Sequence, residues 1–234
     1  MKIKKLIFET KPELIFFSIL FFYCIVFVIL NSFQVLGINL PTSGFSKNLY
    51  RINYDHSYAE FFQYLMLLGT SFLIILISII DKKYLFFLPL FVLFFIDDYF
   101  RIHDNYSLII FKSFLFFFNE LSQLTKIRVK DFFELSWHLI TLLFFLFSLI
   151  ILFIRNKEVN DFIIKYIFGI ICLIFFGAFI DIIGVKIVEI INTPKHFLNT
   201  LIYFFEELGE MTSCAYLFTI FFGLYLKKLN SFLY

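Results

Sequence analysis

Asp97, Asp98, Arg101, His103 and Asp104 close an apolar run, Tyr84 to Ile96, with three carboxylates, a guanidinium and an imidazole. Side chains of these types do two kinds of chemistry: they hold a divalent cation that activates water, or they exchange protons. An ionisable group inside a spanning helix costs about 2.5–3.5 kcal/mol, so it usually faces a protein interior and serves a site. More such groups follow at helical spacing. Glu134 and His138 stand at i, i+4, as do Glu206 and Glu210, and Glu207 lies three residues before Glu210. Each set can therefore aim at one ligand. Asp97, Arg101 and Asp104, at i, i+4 and i+7, share one helix face, where Arg101 reads as the counter-ion of the two aspartates. Asp181 adds one more acid.

The elements that must carry these groups follow from composition. The chain has 234 residues, is 61% hydrophobic and includes 40 Phe, with a mean hydropathy of +0.91. Soluble domains are about 45–50% apolar, and here the apolar residues come in runs of roughly 20, enough to cross a hydrocarbon core of about 30 Å. The expectation is an all-α, polytopic transmembrane helical bundle forming a single domain, 1–234. Six spans are predicted at about 13–37, 59–80, 84–104, 131–154, 161–191 and 196–226. Between the third and fourth, Leu108 to Phe118 is too short to span and contains Lys112, which fits an interfacial or re-entrant helix. Pro89 is expected to kink the third span. Gly169, Gly177 and Gly184 allow close approach of the fifth, and the last is expected to stop at Lys227-Lys228.

Lys2, Lys4 and Lys5 before an apolar run resemble a signal peptide, but the run exceeds an h-region of about 7–15 residues and no Ala-x-Ala site follows. It reads as an uncleaved first span. Lysines and arginines concentrate in the shorter segments on the side of the termini, so the positive-inside rule puts both termini in the cytoplasm. A net charge of +2 gives no reason to expect a nucleic-acid partner; the bilayer is the expected partner. Phe, Ile, Lys, Asn and Tyr have A/T-only codons, so the Phe content carries no functional weight. Cys24, Cys172 and Cys214 form no CxxC and read as small core residues. Trp137 and the tyrosines suit a belt or core, and His56 and His196 an aqueous boundary.

Counting along the predicted spans puts all the deep acids in the half of the membrane away from the termini, about 5–20 Å below that surface. Glu60 and Gln63 of the second span enter the same layer. The half nearer the termini is expected to hold almost no deep acidic residues. Seven carboxylates (Asp97, Asp98, Glu134, Asp181, Glu206, Glu207, Glu210) against Arg101, His103 and His138 cannot all be ionised and unpaired in a low dielectric. Either several are protonated or a cation sits among them. Carboxylate and imidazole ligands suit Zn, Fe or Mn, or Ca where oxygens dominate. In that reading His103, Glu134, His138, Glu206 and Glu210 are metal ligands. Asp97, Asp98 and Glu207 are the acid–base groups, and Arg101, Asp104 and Asp181 support them.

Asp97-Asp98-x4-His103-Asp104 and Glu206-Glu207-Leu208-Gly209-Glu210-Met211 resemble motifs of a set of uncharacterised bacterial six-helix membrane proteins. Those proteins carry Asp-Asp-x4-His-Glu at the end of the third helix and Glu-Asp/Glu-x-x-Glu-Met in the last. The resemblance covers roughly residues 59–220, and Asp104 departs from it by being one carbon shorter. It implies the bacterial inner membrane and these site residues, and brings no substrate with it. Intramembrane metal hydrolases of the alkaline-ceramidase type differ, because their His-rich last helix has no counterpart here. Three functions remain open on these residues. The first is a metal-dependent intramembrane enzyme acting on a lipid-like substrate. The second is a proton- or cation-coupled transporter or channel, against which stand the polar-poor near half and the lack of an internal repeat. The third is a non-catalytic membrane partner.

Overall fold

The computed structural model describes residues 11–35, 57–100, 102, 116–117, 119–120, 136–137, 139–147, 149–150, 161–180 and 195–233. Among them there is helix and no strand, so the all-α expectation holds. The elements are α1 (Lys11–Val35), α2 (Tyr58–Ile80), a 3-10 turn (Lys82–Phe87), α3 (Leu88–Phe100), α4 (Asp161–Ile174) running into a π-helical segment (Phe175–Phe179), and α5 (Lys195–Leu233). Residues 139–147 are also helical. Two helices, Lys11–Phe33 and Tyr58–Ile80, are long and apolar enough to cross a membrane; Phe162–Gly177 is apolar but shorter.

Local sequence sets the boundaries. Ser57 caps α2 by accepting the Glu60 N–H at 3.2 Å, a Ser-x-x-Glu start of the kind that satisfies first-turn amides. Asp81 ends α2 in an extended conformation while its N–H still bonds Ile77 O at 2.8 Å. The chain then winds as a 3-10 turn before α3, which corrects the expectation of a kinked helix from Tyr84. Pro89 is the second residue of α3. There its missing N–H costs no hydrogen bond, and its fixed φ favours starting a helix over bending one. The last helix also differs from expectation, continuing past Lys227 and Lys228 to Leu233. Lysine is a good helix former, and Lys228 stays in the helix while its ammonium reaches Asp81 at 2.9 Å.

α1, α2 and α4 pack along α5, while α3 packs chiefly against α2. Pairings along α5 give directions. Gln63 meets Glu210 and Asp81 meets Lys228, each 147 residues apart in the chain, so α2 and α5 run parallel and in register. The 18 residues between those two contacts rise about 27 Å. α1 runs the other way, with Phe16 stacked on Phe222 (4.8 Å) and Glu13 against Gly223. So does α4, with Phe162 against Phe221 (5.2 Å) and Gly177 against Glu210. α3 packs Phe91 on Phe221 (5.3 Å), while its other end brings Asp98 within electrostatic range of Glu207.

The middle of the bundle is an apolar and aromatic layer. Phe87, Phe91, Tyr166 and Phe221 are fully buried, and Phe87 meets Tyr166 edge-on at 4.5 Å, the geometry that ring quadrupoles favour. Cys24 and Cys214 are buried core residues as expected, and Cys172 is half-buried. Hydroxyls in the helices are satisfied locally. Thr70, Ser71, Ser78, Ser213 and Thr219 each donate to the carbonyl four residues back.

The outside of the bundle is apolar along entire faces. On α2, Phe61, Leu65, Leu68, Phe72, Ile75 and Ile79 are exposed at i, i+4, i+7, i+11, i+14 and i+18. Ile164, Phe168, Ile171, Phe175 and Phe179 make a similar stripe on α4 and its π segment. A water-soluble monomer rarely exposes one apolar patch larger than a few hundred Å².

Candidate functional site

At one end of the bundle several acids lie within electrostatic range of one another. Glu206 and Glu207 lie about one turn before Glu210 on α5, and Glu60 (α2), Asp98 (α3), Glu206 and Glu210 all act electrostatically on Glu207. Those four groups are all carboxylates. Gln63 Nε2 donates to Glu210 Oε2 at 3.3 Å and so fixes one member of the cluster. Tyr64, one residue on, donates its hydroxyl to the Asp98 carbonyl at 3.3 Å and ties α3 to α2 beside the site. Cys214, one turn further along α5 than Glu210, is buried within electrostatic range of Asp98 and Glu210.

The close approach of α4 depends on two glycines. A methyl carbon at Gly177 would lie 2.5 Å from Glu210 Oε1, and one at Gly209 would fall into the Phe176 ring. Gly177 and Phe176 both belong to the π segment. π-bulges are rare and occur frequently at functional sites; here the bulge brings a bare backbone stretch against the Glu210 carboxylate.

Of the residues singled out from sequence, Asp98, Glu206 and Glu210 lie within electrostatic range of Glu207. Asp97 is on the same turn and is buried, but Asp98 is the one that acts on Glu207. Arg101, His103, Asp104, Glu134, His138 and Asp181 lie outside the described residues, as do Gly184 and most of Leu108 to Phe118. Among the described residues no three His, Cys, Asp or Glu side chains converge as a metal ion requires. Glu60 and Gln63 had a visible signal, being acidic and amide residues at the matching depth of the second span. Gly177 was legible as a point of close helix approach, though not as the seat of Glu210, and Tyr64 had no signal.

The opposite end of the bundle holds a buried ion pair that the sequence reading did not single out: Glu13 and Lys165 are both buried there and pair at 4.0 Å. Gly223 leaves the room that the Glu13 carboxylate fills. Sequence counting treats both residues as boundary groups because each lies within a turn or so of a predicted span's start. Only packing shows that α5 and its lysines cover them. Just outside the spans, Asp81 accepts from Lys228 at 2.9 Å and pairs with Lys83 at 3.1 Å. Burial pushes the Asp81 carboxyl up, but the hydrogen bonds from Lys228 and Lys83 outweigh it and hold the group below its ordinary range.

No family model, curated protein or solved structure matches this chain. The likeness to six-helix bacterial membrane proteins therefore rests on the two motifs alone.

Proposed function

We propose that the protein is a six-span membrane protein, with both termini cytoplasmic, whose carboxylates form a cation-dependent site opening on the non-cytoplasmic face and acting on a lipid-like substrate. The placement of Glu60, Asp98, Glu206 and Glu210 within electrostatic range of Glu207, with Gln63 bonded to Glu210, carries this reading. Carboxylates crowded in that way are stable when a cation or shared protons offset their repulsion. His103, Glu134 and His138 are the nitrogen and oxygen donors that would complete a set suited to Zn, Fe, Mn or Ca. A divalent cation would supply Lewis-acid activation of water or of a headgroup oxygen. Glu207, at the centre of the cluster, is then the proton acceptor.

The full-length apolar stripes on α2 and α4 support a bilayer as the surroundings of the bundle. Depth supports a headgroup as the substrate region. Asp81 and Lys228 mark one polar boundary, and the Gln63–Glu210 contact is 18 residues, or about 27 Å, away from it. That distance is close to the thickness of a hydrocarbon core, so the acids would sit at its far edge, where headgroups and water both reach.

Coupled transport is the second reading, because the buried Glu13–Lys165 pair supplies ionisable groups to the other half. It ranks lower. Thirteen residues of α5, roughly 20 Å, separate Glu210 from Gly223, and the interval packs Met211, Ala215, Leu217 and Phe221 without solvent exposure. Metal analysis of detergent-purified protein tests the two. About one equivalent of a divalent metal, lost in Glu207→Gln, supports the cation site. Sub-stoichiometric metal in every preparation rejects it, and liposome proton flux abolished by Glu207→Gln would favour transport.

A further inference from the structure

Among the described side chains of α1, the buried ones are Glu13, Leu20, Cys24 and Asn31. They stand at i, i+7, i+11 and i+18, one line along the helix. Asn31, at one end of that line, is 7% exposed, and a buried side-chain amide in an apolar helix is found where polar groups meet it. Two registers give what lies at its level. α1 runs antiparallel to α5, with Glu13 against Gly223, Phe16 against Phe222 and Cys24 against Thr212. Seven residues on from Cys24 is Asn31, and seven back from Thr212 is Phe205, next to Glu206. α1 is also antiparallel to α2, where Phe27 meets Phe62 at 5.6 Å. Four residues on from Phe27 is Asn31, and four back from Phe62 is Tyr58, two before Glu60. At about 1.5 Å per residue, Asn31 stands within about 3 Å of the level of both glutamates.

We propose that Asn31 is a positioning residue of the carboxylate site, its amide N–H donors holding Glu60 and Glu206 from the side of α1. A carboxamide suits that place because it adds no charge to a layer already crowded with acids. It donates to an ionised carboxylate and accepts from a protonated one, so it serves the cluster in both forms. Gln63 does the same from α2, where its Nε2 bonds Glu210 at 3.3 Å. α1 is then a wall of the site as well as a span. The effect on cation binding rests on the function proposed above, whereas the contact of Asn31 with the two glutamates does not.

Calorimetric titration of detergent-purified protein with Mn, and thermal unfolding of the same samples, test it. Asn31→Leu, folded by circular dichroism, should bind Mn about tenfold more weakly. Asn31→Gln should keep the parent affinity to within about threefold, and Leu20→Val, a change on the same buried line, should leave it unchanged. Asn31→Ala replaces the leucine variant if that one does not fold. In double-mutant cycles, the shifts in thermal midpoint of Asn31→Leu and Glu206→Gln should fail to add, and so should those of Asn31→Leu and Glu60→Gln. A parent protein that binds no divalent cation removes the cation function, and the cycles alone then decide the contact. Additive shifts in either cycle, or Mn affinity unchanged in folded Asn31→Leu, overturn the proposal.

Discussion

Gly177 lies against Glu210 and Gly209 against Phe176 where the π segment meets α5, and alanine at the two positions should fail in different ways. An added carbon at Gly209 falls into the Phe176 ring, a rigid plane already set edge-on against Phe175 at 5.3 Å. Overpacking of that kind costs about 1–3 kcal/mol, of which the better helix propensity of alanine returns about 1 kcal/mol. Gly209→Ala is therefore expected to lose about 1–2 kcal/mol of stability. At Gly177 the obstacle is Glu210 Oε1, 2.5 Å from the new carbon and at the tip of a flexible side chain. The carboxylate swings away at little cost, so Gly177→Ala should keep its stability to within about 1 kcal/mol. In moving, Glu210 gives up the 3.3 Å bond from Gln63. A hydrogen bond to a charged group contributes about 1.5–3 kcal/mol, so divalent-cation affinity should fall about tenfold or more. Thermal unfolding in detergent reads the first effect and calorimetric titration with Zn or Mn reads the second. Equal destabilisation by the two alanines, or unchanged cation affinity in Gly177→Ala, would refute this account of how α4 seats Glu210.

Three further outcomes follow from the polar groups away from that cluster. Lys165→Ala leaves the Glu13 carboxyl buried beside Gly223 without its ammonium and should cost about 3 kcal/mol, whereas Glu13→Gln/Lys165→Met should recover most of it in thermal unfolding. Tyr166 buries its hydroxyl with no hydrogen-bond partner among the described residues, so Tyr166→Phe should raise stability by about 1 kcal/mol, and a drop would reveal a partner for that hydroxyl. Asp81, held below its ordinary value of 3.8 by Lys228 and Lys83, stabilises the fold fully above that pH and loses the contribution as pH falls through its lowered folded-state value. Asp81→Asn should accordingly be less stable than the parent at pH 6 and converge with it under acid, as followed by circular dichroism.

Much of this molecule is legible from the order of its residues. Helical class follows from apolar runs too long for strands, and the Ser57-x-x-Glu60 start of α2 follows from capping chemistry. The spacing of Glu206, Glu207 and Glu210 puts them on neighbouring turns whatever surrounds the helix. Depth counting placed Glu60 and Gln63 level with those acids before any contact was known, because a helix rises by a fixed amount per residue. Rotation of one helix about its axis relative to another is a different matter. It depends on which side chains interlock, and no local pattern states it. Choosing Asp98 over Asp97 as the partner of Glu207, seating Glu210 against Gly177, and covering Glu13 and Lys165 beneath the end of α5 are all rotational facts. Sequence alone determined which groups share a level along the bundle axis. Tertiary structure decided which of them face each other, because only packing of the interior fixes the angle at which each helix is set.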